Sequence, residues 1–428
     1  MEKSTKINKK IFRRAEKEQR RQRIMGIIFL AIAAFIWFVL ARTTAPGSET
    51  LFIMTPGGSS VFSPDFKFNT LLVINIFAVL SLGCGIYQYF KGFGKYTNLI
   101  LVLVGIMLTI SFLAWGARNA SINVGGMLRI MLMRSIPIVL GALSGILNER
   151  AGVVNIAIEG MMITGALVGA VVGSLYGLWA GAIAATLAGG LISIIHGILS
   201  IKYKVDQIIS GTIINIFTIG FTSYIVTKIL QEREWQYLNE SGIFMPTEIP
   251  LLAKIPYIGP IFFNHNPYVY AMYILVFVLT IAIFFTKWGL RLRAVGEHPK
   301  AADTLGINVF RIRYVAVVLG GLLAGFAGSY FSLGSAGYFN QDMTAGRGFI
   351  GLAAMIFGNW TPVGALGAGF LFGFAETLAQ NLKLLGVPVP SDIMLMVPYI
   401  LTIVVLAGVV GRSRGPAAAG TPYDKESL

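Results

Sequence analysis

Five polar side chains stand close together within an otherwise apolar stretch of the chain. They are two carboxylates, one guanidinium and two carboxamides, from Glu149, Glu159, Arg150, Asn148 and Asn155. The flanking residues, 136–147 and 163–172, are almost wholly apolar. An ionised group at membrane depth is costly unless it is paired or hydrated, so such groups usually face a bundle interior or an aqueous path. The pattern indicates polar groups near a transport pathway.

The same stretch predicts a helix that is broken and then resumes. Gly152 can interrupt a helix at this point, and Asn155 and Glu159 are four residues apart, so on a helix they share one face. Two other interpretations stay open. Glu149 and Arg150 could form a surface loop between two spans that contacts no solute. Glu159 could be a buried structural carboxylate that accepts hydrogen bonds from hydroxyl, amide or backbone N–H groups.

The composition indicates the class of element that must position these groups. Of 428 residues, 55% are hydrophobic and only 12% are charged, whereas a soluble domain carries about 25% charged residues. The apolar runs are each about twenty residues long, which is the length of a membrane-spanning helix. They are continuous, while the strands of a membrane barrel alternate. The sequence therefore predicts an all-α, polytopic membrane protein with about 10–12 spans.

The net charge of +15 does not indicate a nucleic-acid partner. The basic residues cluster beside apolar spans, as the cytoplasmic bias of lysine and arginine predicts. Cys84 is the only cysteine and there are three histidines, so the sequence offers no metal site of the usual ligand spacing. The phosphate-binding pattern Gly-x-x-x-x-Gly-Lys-Ser/Thr is missing from the sequence. If ATP drives this protein, we expect another subunit to bind it.

The N-terminal quarter predicts a peripheral unit. Residues 1–23 are a basic segment that we expect in the cytoplasm, either on anionic lipid or as a solvated tail. The first span, about 24–41, is expected to be an uncleaved signal anchor. Residues 24–124 then hold three spans, with an external loop at 42–69.

The core is predicted over residues 125–410 and is followed by a disordered cytoplasmic tail at 411–428. Its expected spans are about 127–147, 153–173, 178–201, 208–230, 268–285, 314–333, 363–380 and 393–410, with a short apolar segment at 349–357. An external segment, 231–266, could cap the membrane interface or be a docking surface for a partner.

One predicted span carries a polar stripe. Gly211, Asn215, Thr218 and Thr222 recur at spacings of four, three and four residues and so share one helix face. The stripe could face a solute path. It could equally make hydrogen bonds between helices.

The basic loop 287–313 is predicted to be cytoplasmic and to contain a short helix. Pro299 suits a first helical position and Gly306 suits a stop after the last turn. Such a helix could be the lever for an attached cytoplasmic motor, or only a solvated loop helix.

The chain also contains an internal echo. Residues 173–181 and 358–364 are both glycine- and tryptophan-bearing turns that precede helices rich in small residues. By the charge bias the first turn lies outside and the second inside. This predicts a core of two inverted repeats, a common plan in transporters with a central site.

Three separated motifs resemble the permease subunits of bacterial ABC importers for branched-chain amino acids, simple sugars and nucleosides. The motifs are Asn148-Glu149-Arg150-Ala151-Gly152 with the residues up to 162, Gly211-Thr212-Ile213-Ile214-Asn215, and Gly346-Arg347-Gly348-Phe349 with Gly358-Asn359-Trp360-Thr361-Pro362. We call 148–162 the first signature and 346–362 the second signature. The Asn-Glu-Arg-x-Gly form is similar to that of nucleoside importers paired with basic-membrane-protein-type lipoproteins. The Gly-x-Asp-Leu-Ser form of ribose-type permeases is missing from the sequence. The resemblance covers about 127–410.

The resemblance implies a pore-forming subunit for nucleosides, purines or a related small polar solute, in the lipid of a bacterial inner membrane with the N-terminus in the cytoplasm. It implies a second permease, often a different paralogue, a cytoplasmic ABC ATPase and an extracytoplasmic solute-binding lipoprotein, and no nucleic acid. ATP and Mg²⁺ would be held by the ATPase. This chain would hold no cofactor, would have no catalytic residue and would not itself be an enzyme.

The resemblance and the polar pattern together give two sets of candidate residues. Along the solute path we expect Asn155, Glu159, Asn215, Thr218, Thr222, Arg347 and Phe349. At the contact with the ATPase we expect Glu297, His298, Pro299, Lys300, Ala301, Ala302, Asp303, Leu305 and Gly306.

Other function classes stay open at this point. A proton- or ion-coupled secondary transporter could use Glu159 as its titrating group, and an ABC importer for simple sugars would share the same fold. An intramembrane enzyme would need a nucleophile or metal site with converging groups, and the sequence offers none.

Overall fold

The computed structural model describes residues 2–384, 396 and 414–425, and it confirms the predicted all-α, polytopic class. In this part of the chain, 10 helices are long and apolar enough to cross a membrane. Apart from Met396, the predicted span at 393–410 lies outside the described residues. The described residues form two compact units, 2–126 with 382–384, and 127–381 with 396 and 414–425.

The first unit holds three long helices and a small sheet. The helices are α1 (Glu2–Phe35), which continues as a π-helical turn at Ile36–Ala41, α2 (Thr70–Phe90) and α3 (Thr97–Gly116), with a 3₁₀ turn at Gly94–Tyr96. The strands are β1 (Glu49–Ile53), β2 (Phe66–Asn69) and β3 (Ala120–Asn123), in the order β2-β1-β3. β1 pairs antiparallel with β2 and parallel with β3. The basic N-terminal segment is thus helical and runs without a break into the first span.

The second unit is a helical bundle. Its helices are α4 (Val124–Arg150), α5 (Ile158–Tyr176), α6 (Leu178–Gly197), α7 (Gln207–Ile225), α8 (Ile258–Phe262), α9 (Pro267–Phe285), α10 (Lys287–Glu297), α11 (Pro299–Thr304), α12 (Val309–Ser329), α13 (Arg347–Phe357) and α14 (Pro362–Leu384). Three of them end in π-helical turns, at Ile198–Lys202, Val226–Leu230 and Tyr330–Ala336.

The predicted external segment 231–266 does not span a membrane. It contains 3₁₀ turns at Gln236–Asn239 and Leu252–Lys254, the short helix α8, and β4 (Thr247–Glu248) paired antiparallel with β5 (Asn264–His265). His265 is buried here, and burial lowers the pKa of its imidazole to about 4.

The centre of the bundle is a backbone-to-backbone contact between small residues of α5, α6 and α12. A Cβ atom added to Gly189 would lie 2.5 Å from Gly321 O, and one added to Gly165 would collide with Gly325. In a membrane, helix association depends on close packing because lipid tails are as apolar as leucine side chains. Glycine at these positions therefore sets the distance between the helices.

Residues 411–428 were expected to be a disordered tail. The structure corrects this expectation for residues 414–425, which make defined contacts. Tyr423 is buried against Val295, Ala302 and Val309, and Arg313 Nη1 donates to Thr421 O over 3.1 Å. The segment has little hydrophobic content, but one buried aromatic ring and a few hydrogen bonds to its backbone hold it against the helices. We call residues 414–425 the C-terminal strap.

Gly325→Ala should destabilise the bundle. An ideal Cβ at Gly325 lies 2.9 Å from Gly189 Cα, and overpacking of this kind costs about 1–3 kcal/mol. We expect a lower midpoint of thermal unfolding for the purified protein in detergent. Gly220→Ala is the matched control, because no atom lies within 4 Å of a Cβ at that helical glycine. Equal midpoints for the two variants would contradict this packing.

Candidate functional site

The break between α4 and α5 is held by side chains from neighbouring helices. Gly152 has a φ of +84°, and the chain after it runs without helical hydrogen bonds. Val154 N donates to Gln207 Oε1 over 2.7 Å, and Val154 O lies 3.1 Å from His196 Nε2. Since a carbonyl can only accept, His196 carries its proton on Nε2. The side chains of α6 and α7 thus replace the hydrogen bonds that the broken helix lost.

Asn155 and Asn215 complete the same repair. Asn215 Oδ1 accepts from Gly160 N over 2.8 Å, and its Nδ2 donates to Ile156 O over 2.9 Å. Asn155 Oδ1 accepts from Ala157 N over 3.0 Å. Both side chains are buried. A backbone group at membrane depth must find its partner within the protein, so these carboxamides hold the break in shape.

The remaining polar stripe on α7 lies in a helix contact. The hydroxyls of Thr218 and Thr222 donate to carbonyls of their own helix, Ile214 O and Thr218 O, each over 2.8 Å. Both threonines are buried, and Thr218 Oγ1 fills the space that a side chain at Gly160 would need. In this conformation the stripe therefore packs α7 on α5.

Glu159 lies at the centre of the second unit and caps a helix from the other signature. Its Oε1 accepts from Thr344 Oγ1 over 2.6 Å and from Gly346 N over 2.8 Å, and its Oε2 accepts from Gly348 N over 2.6 Å. The side chain is 1% exposed. A carboxylate at the N-terminus of a helix satisfies unpaired N–H groups and meets the positive end of the helix dipole. The first signature is thereby joined to the start of α13.

The glycines of the second signature make this cap possible. Gly346 has a φ of +76°, a conformation that favours glycine. A Cβ at Gly348 would lie 2.7 Å from Glu159 Oε2. Both positions let the backbone approach the carboxylate closely.

A second ionised cluster at membrane depth was missed by the sequence analysis. Glu376 Oε2 of α14 lies 3.2 Å from Arg134 Nη1 of α4 and 3.4 Å from Arg347 Nη2 at the start of α13. Arg134 Nη2 also donates to Gln380 Oε1 over 2.6 Å. The signal that could have found the cluster is the one that found Glu159, an ionisable residue inside an apolar run. We call Arg134, Glu376 and Arg347 the charged triad.

The other two path candidates differ in position. Arg347 is a member of the charged triad, and its guanidinium carbon lies 5.8 Å from the ring centre of Phe331. Phe349 belongs to the same helix but is 46% exposed. Of the seven expected path residues, Arg347 and Phe349 are thus the two that are not buried between helices.

The expected ATPase contact forms a small exposed helix. His298 Nδ1 accepts from Ala301 N over 3.2 Å and so caps α11, while Gly306 ends it with a φ of +80°. Ala302 is buried below, and Pro299 and Asp303 are half-buried. The exposed members are Glu297, His298, Lys300, Ala301, Leu305 and Gly306. Leu305 is 81% exposed and so places a large apolar side chain at the surface beside α11.

This helix is tied to both signatures at the same end of the bundle. Gly296 at the end of α10 lies against Arg150 O, and Arg150 Nε donates to Trp360 O over 3.1 Å. Trp360 Nε1 donates to Glu149 Oε2 over 2.5 Å. Glu149 and Arg150 are therefore bonded to the second signature and do not form a free surface loop.

The C-terminal strap joins the same region. Ala418 N donates to Gly296 O over 2.9 Å, and Ala417 N lies 3.4 Å from Glu297 Oε2. Lys204, after α6, forms an ion pair with Asp424. Residues of α10, α12 and the strap thus pack around Ala302 at the base of α11.

Comparison with known proteins identifies a family and several relatives of this chain. Residues 126–406 match the family described as branched-chain amino acid transport system / permease component. The chain is 42% identical over 304 residues to the guanosine ABC transporter permease protein NupQ of Bacillus subtilis, covering 69% of this chain and 95% of that protein. It is 36% identical over 305 residues to the nucleoside ABC transporter permease protein NupC of Lactococcus lactis subsp. cremoris, covering 69% and 95%. It is 32% identical over 325 residues to the putative glucose ABC transporter permease protein TsgC13 of Haloferax volcanii, covering 70% and 98%. No solved structure matches the chain.

Glu159→Ala should destabilise the second unit strongly. The change leaves two backbone N–H groups and the hydroxyl of Thr344 without their acceptor in a buried place, and each such group costs about 1–3 kcal/mol. We expect a clearly lower thermal midpoint in detergent, with Glu159→Gln between it and the unchanged protein. Glu234→Ala, at an exposed carboxylate, serves as the control. A Glu159→Ala protein as stable as the control would rule out the capping role.

Proposed function

The chain belongs to the family of permease components of branched-chain amino acid transport systems, and from this premise we propose that it forms one half of an import pore for nucleosides. As a permease subunit of an ABC transporter it crosses the membrane several times, is not itself an enzyme, and works with an ATPase and a binding protein. The nucleoside is the part that goes beyond the family.

One observation carries the choice of solute. Two of the most similar relatives, at 42% and 36% identity, are named for guanosine and for nucleosides, and the alignment covers 95% of each. A sugar is the competing candidate, supported by the 32% identity to a putative glucose permease. The lower identity makes it the second choice.

The proposed orientation places the α10–α11 end of the second unit in the cytoplasm. Basic residues concentrate there, in the loop 287–313 and beside Arg150. This distribution follows the cytoplasmic bias of lysine and arginine. The proposal puts the N-terminal basic segment on the same side and the chain in a bacterial cell membrane.

The proposed contact for the ATPase is the exposed tip of α11. Leu305 supplies an apolar anchor, and Glu297, His298 and Lys300 supply a charged rim, a pattern typical of protein interfaces. ATP and Mg²⁺ would be bound by the partner, with no cofactor in this chain. Movement of α11 would pass through Gly296 to Arg150 and Trp360, and so to both signatures together.

The proposed mechanism is alternating access between two permease subunits. The helices of the second unit share tight glycine contacts and would move as a rigid body. Glu159 supports this mechanism over proton coupling, because its carboxylate is already used by three hydrogen-bond donors. A titrating group would have to leave these donors at each cycle. The partner permease is proposed to be a different paralogue.

Reconstitution tests the function. The chain would be co-produced with its ATPase, second permease and binding protein, and placed in lipid vesicles with labelled guanosine. We expect uptake that needs ATP, that unlabelled nucleosides compete with, and that glucose does not affect. Uptake driven by a proton gradient without ATP, or competition by glucose but not by nucleosides, would overturn the proposal.

Leu305→Asp should uncouple the ATPase while leaving the permease folded. The side chain is 81% exposed, so the change removes an apolar anchor without disturbing the core. We expect at least a tenfold loss of solute-stimulated ATP hydrolysis, since an uncompensated buried charge costs about 3–5 kcal/mol and ~1.4 kcal/mol is a factor of ten in binding.

Leu251→Asp is the matched control for this test. Leu251 is also 81% exposed but lies in the segment 231–266, far along the chain from α11. It should leave ATP hydrolysis unchanged. Equal behaviour of the two variants would argue against α11 as the contact.

A further inference from the structure

The charged triad lies near the middle of the membrane-spanning helices. Arg134 is about 24 Å from the Arg150 end of α4, and Glu376 is about 21 Å from the start of α14, at ~1.5 Å per residue. These two helix ends lie close together, because Arg150 binds Trp360 beside Pro362. Both side chains are therefore at a similar depth, where ionised groups are rare and usually functional.

The triad carries an uncompensated positive charge. Two guanidiniums, which stay protonated, share the single carboxylate of Glu376. Arg134 Nε is buried and has no hydrogen-bond partner among the described residues. An unused charged donor at this depth is expensive. Each terminal nitrogen of Arg134 carries two N–H groups and makes one bond, Nη1 to Glu376 and Nη2 to Gln380. The partly exposed end of this guanidinium therefore keeps N–H groups for an oxygen acceptor that comes from outside the subunit.

The triad is not sealed inside the subunit. The side chains of Arg134, Glu376 and Arg347 keep 24%, 16% and 21% of their exposure, and Gln380 is exposed. Ionised side chains avoid lipid and face a bundle interior or water. The face formed by α4, α13 and α14 must then be turned toward water or toward another subunit.

Resting on the proposed function, we propose that the charged triad with Gln380 binds the solute within the pore, by the edge of a base that carries a carbonyl next to an N–H. The guanidinium donors of Arg134 and Arg347 would hold the carbonyl oxygen, and Glu376 would accept from the adjacent N–H. Guanosine, inosine and uridine present such an edge, and adenosine does not. The excess positive charge also repels cations from the path.

Thiol accessibility tests where the face points. Cys84 is the only cysteine, so Cys84→Ser gives a background in which Gln380→Cys can be labelled with a membrane-impermeant sulfonate thiol reagent. We expect labelling in the assembled importer, slowed severalfold by guanosine and less by adenosine. Leu187→Cys, on the exposed apolar face of α6, is the control and should stay unlabelled.

Two results would overturn the inference. One is no labelling of the Gln380→Cys variant, with a disulfide formed to the partner permease, which would make the face a subunit contact. The other is labelling that guanosine and adenosine slow equally. Either result counts against the site only if the unchanged importer takes up guanosine with ATP. Without that uptake, the proposed function itself fails.

Transport kinetics separate solute binding from a structural role. In the reconstituted importer, Glu376→Gln should raise the KM for guanosine about tenfold and change the KM for adenosine less, because a lost partner is felt only by the solute that used it. The double variant Arg134→Gln with Glu376→Gln keeps the net charge of the triad. It therefore controls for a folding defect that the unpaired guanidinium of the single variant could cause. Equal changes of both KM values in both variants would show a structural role only.

Discussion

The absence of water at membrane depth is the constraint from which most of this structure follows. A helix that breaks there exposes backbone groups that only the protein can satisfy. The break after α4 is repaired by Gln207, His196 and Asn215, and the start of α13 is repaired by Glu159. Three of the side chains that first suggest a solute path, Asn155, Glu159 and Asn215, are thus used to hold two interruptions of the helical backbone.

The second unit therefore has separate regions for rigidity, for the proposed ATPase contact and for the charged triad. The glycine contacts of α5, α6 and α12 make a rigid centre, and the Glu159 cap joins α13 to it. At one end, α10, α12 and the C-terminal strap pack against the exposed helix α11, and Gly296 of α10 lies against Arg150. At mid-depth, the charged triad stands on a face that is not buried within the subunit. In the proposed mechanism, a push on α11 reaches the triad through α4 and α14 and leaves the glycine-packed centre unchanged.

The sequence allowed the class, most of the spans and the short helix α11 to be predicted, because hydropathy, charge bias and Pro/Gly signals are local. It did not resolve the role of Glu159. Its donors at Thr344, Gly346 and Gly348 are distant in the chain, so only the fold distinguishes a structural carboxylate from a solute contact. Arg134 and Glu376 carried the same signal as Glu159 but lacked a neighbouring motif. The tail was predicted to be disordered from its composition. Composition does not show that a single side chain, Tyr423, packs into an apolar cluster with Val295 and Val309.

The cap on α13 has a consequence for how the protein is made. Thr344 lies 185 residues after Glu159, so at ~5–20 residues per second the ribosome needs about 10–40 s to produce the missing donors. Throughout that interval the carboxylate of Glu159 must take its hydrogen bonds from water. During synthesis, α5 can therefore insert into lipid only partly. Its insertion is complete when Thr344, Gly346 and Gly348 have been made and bind Glu159.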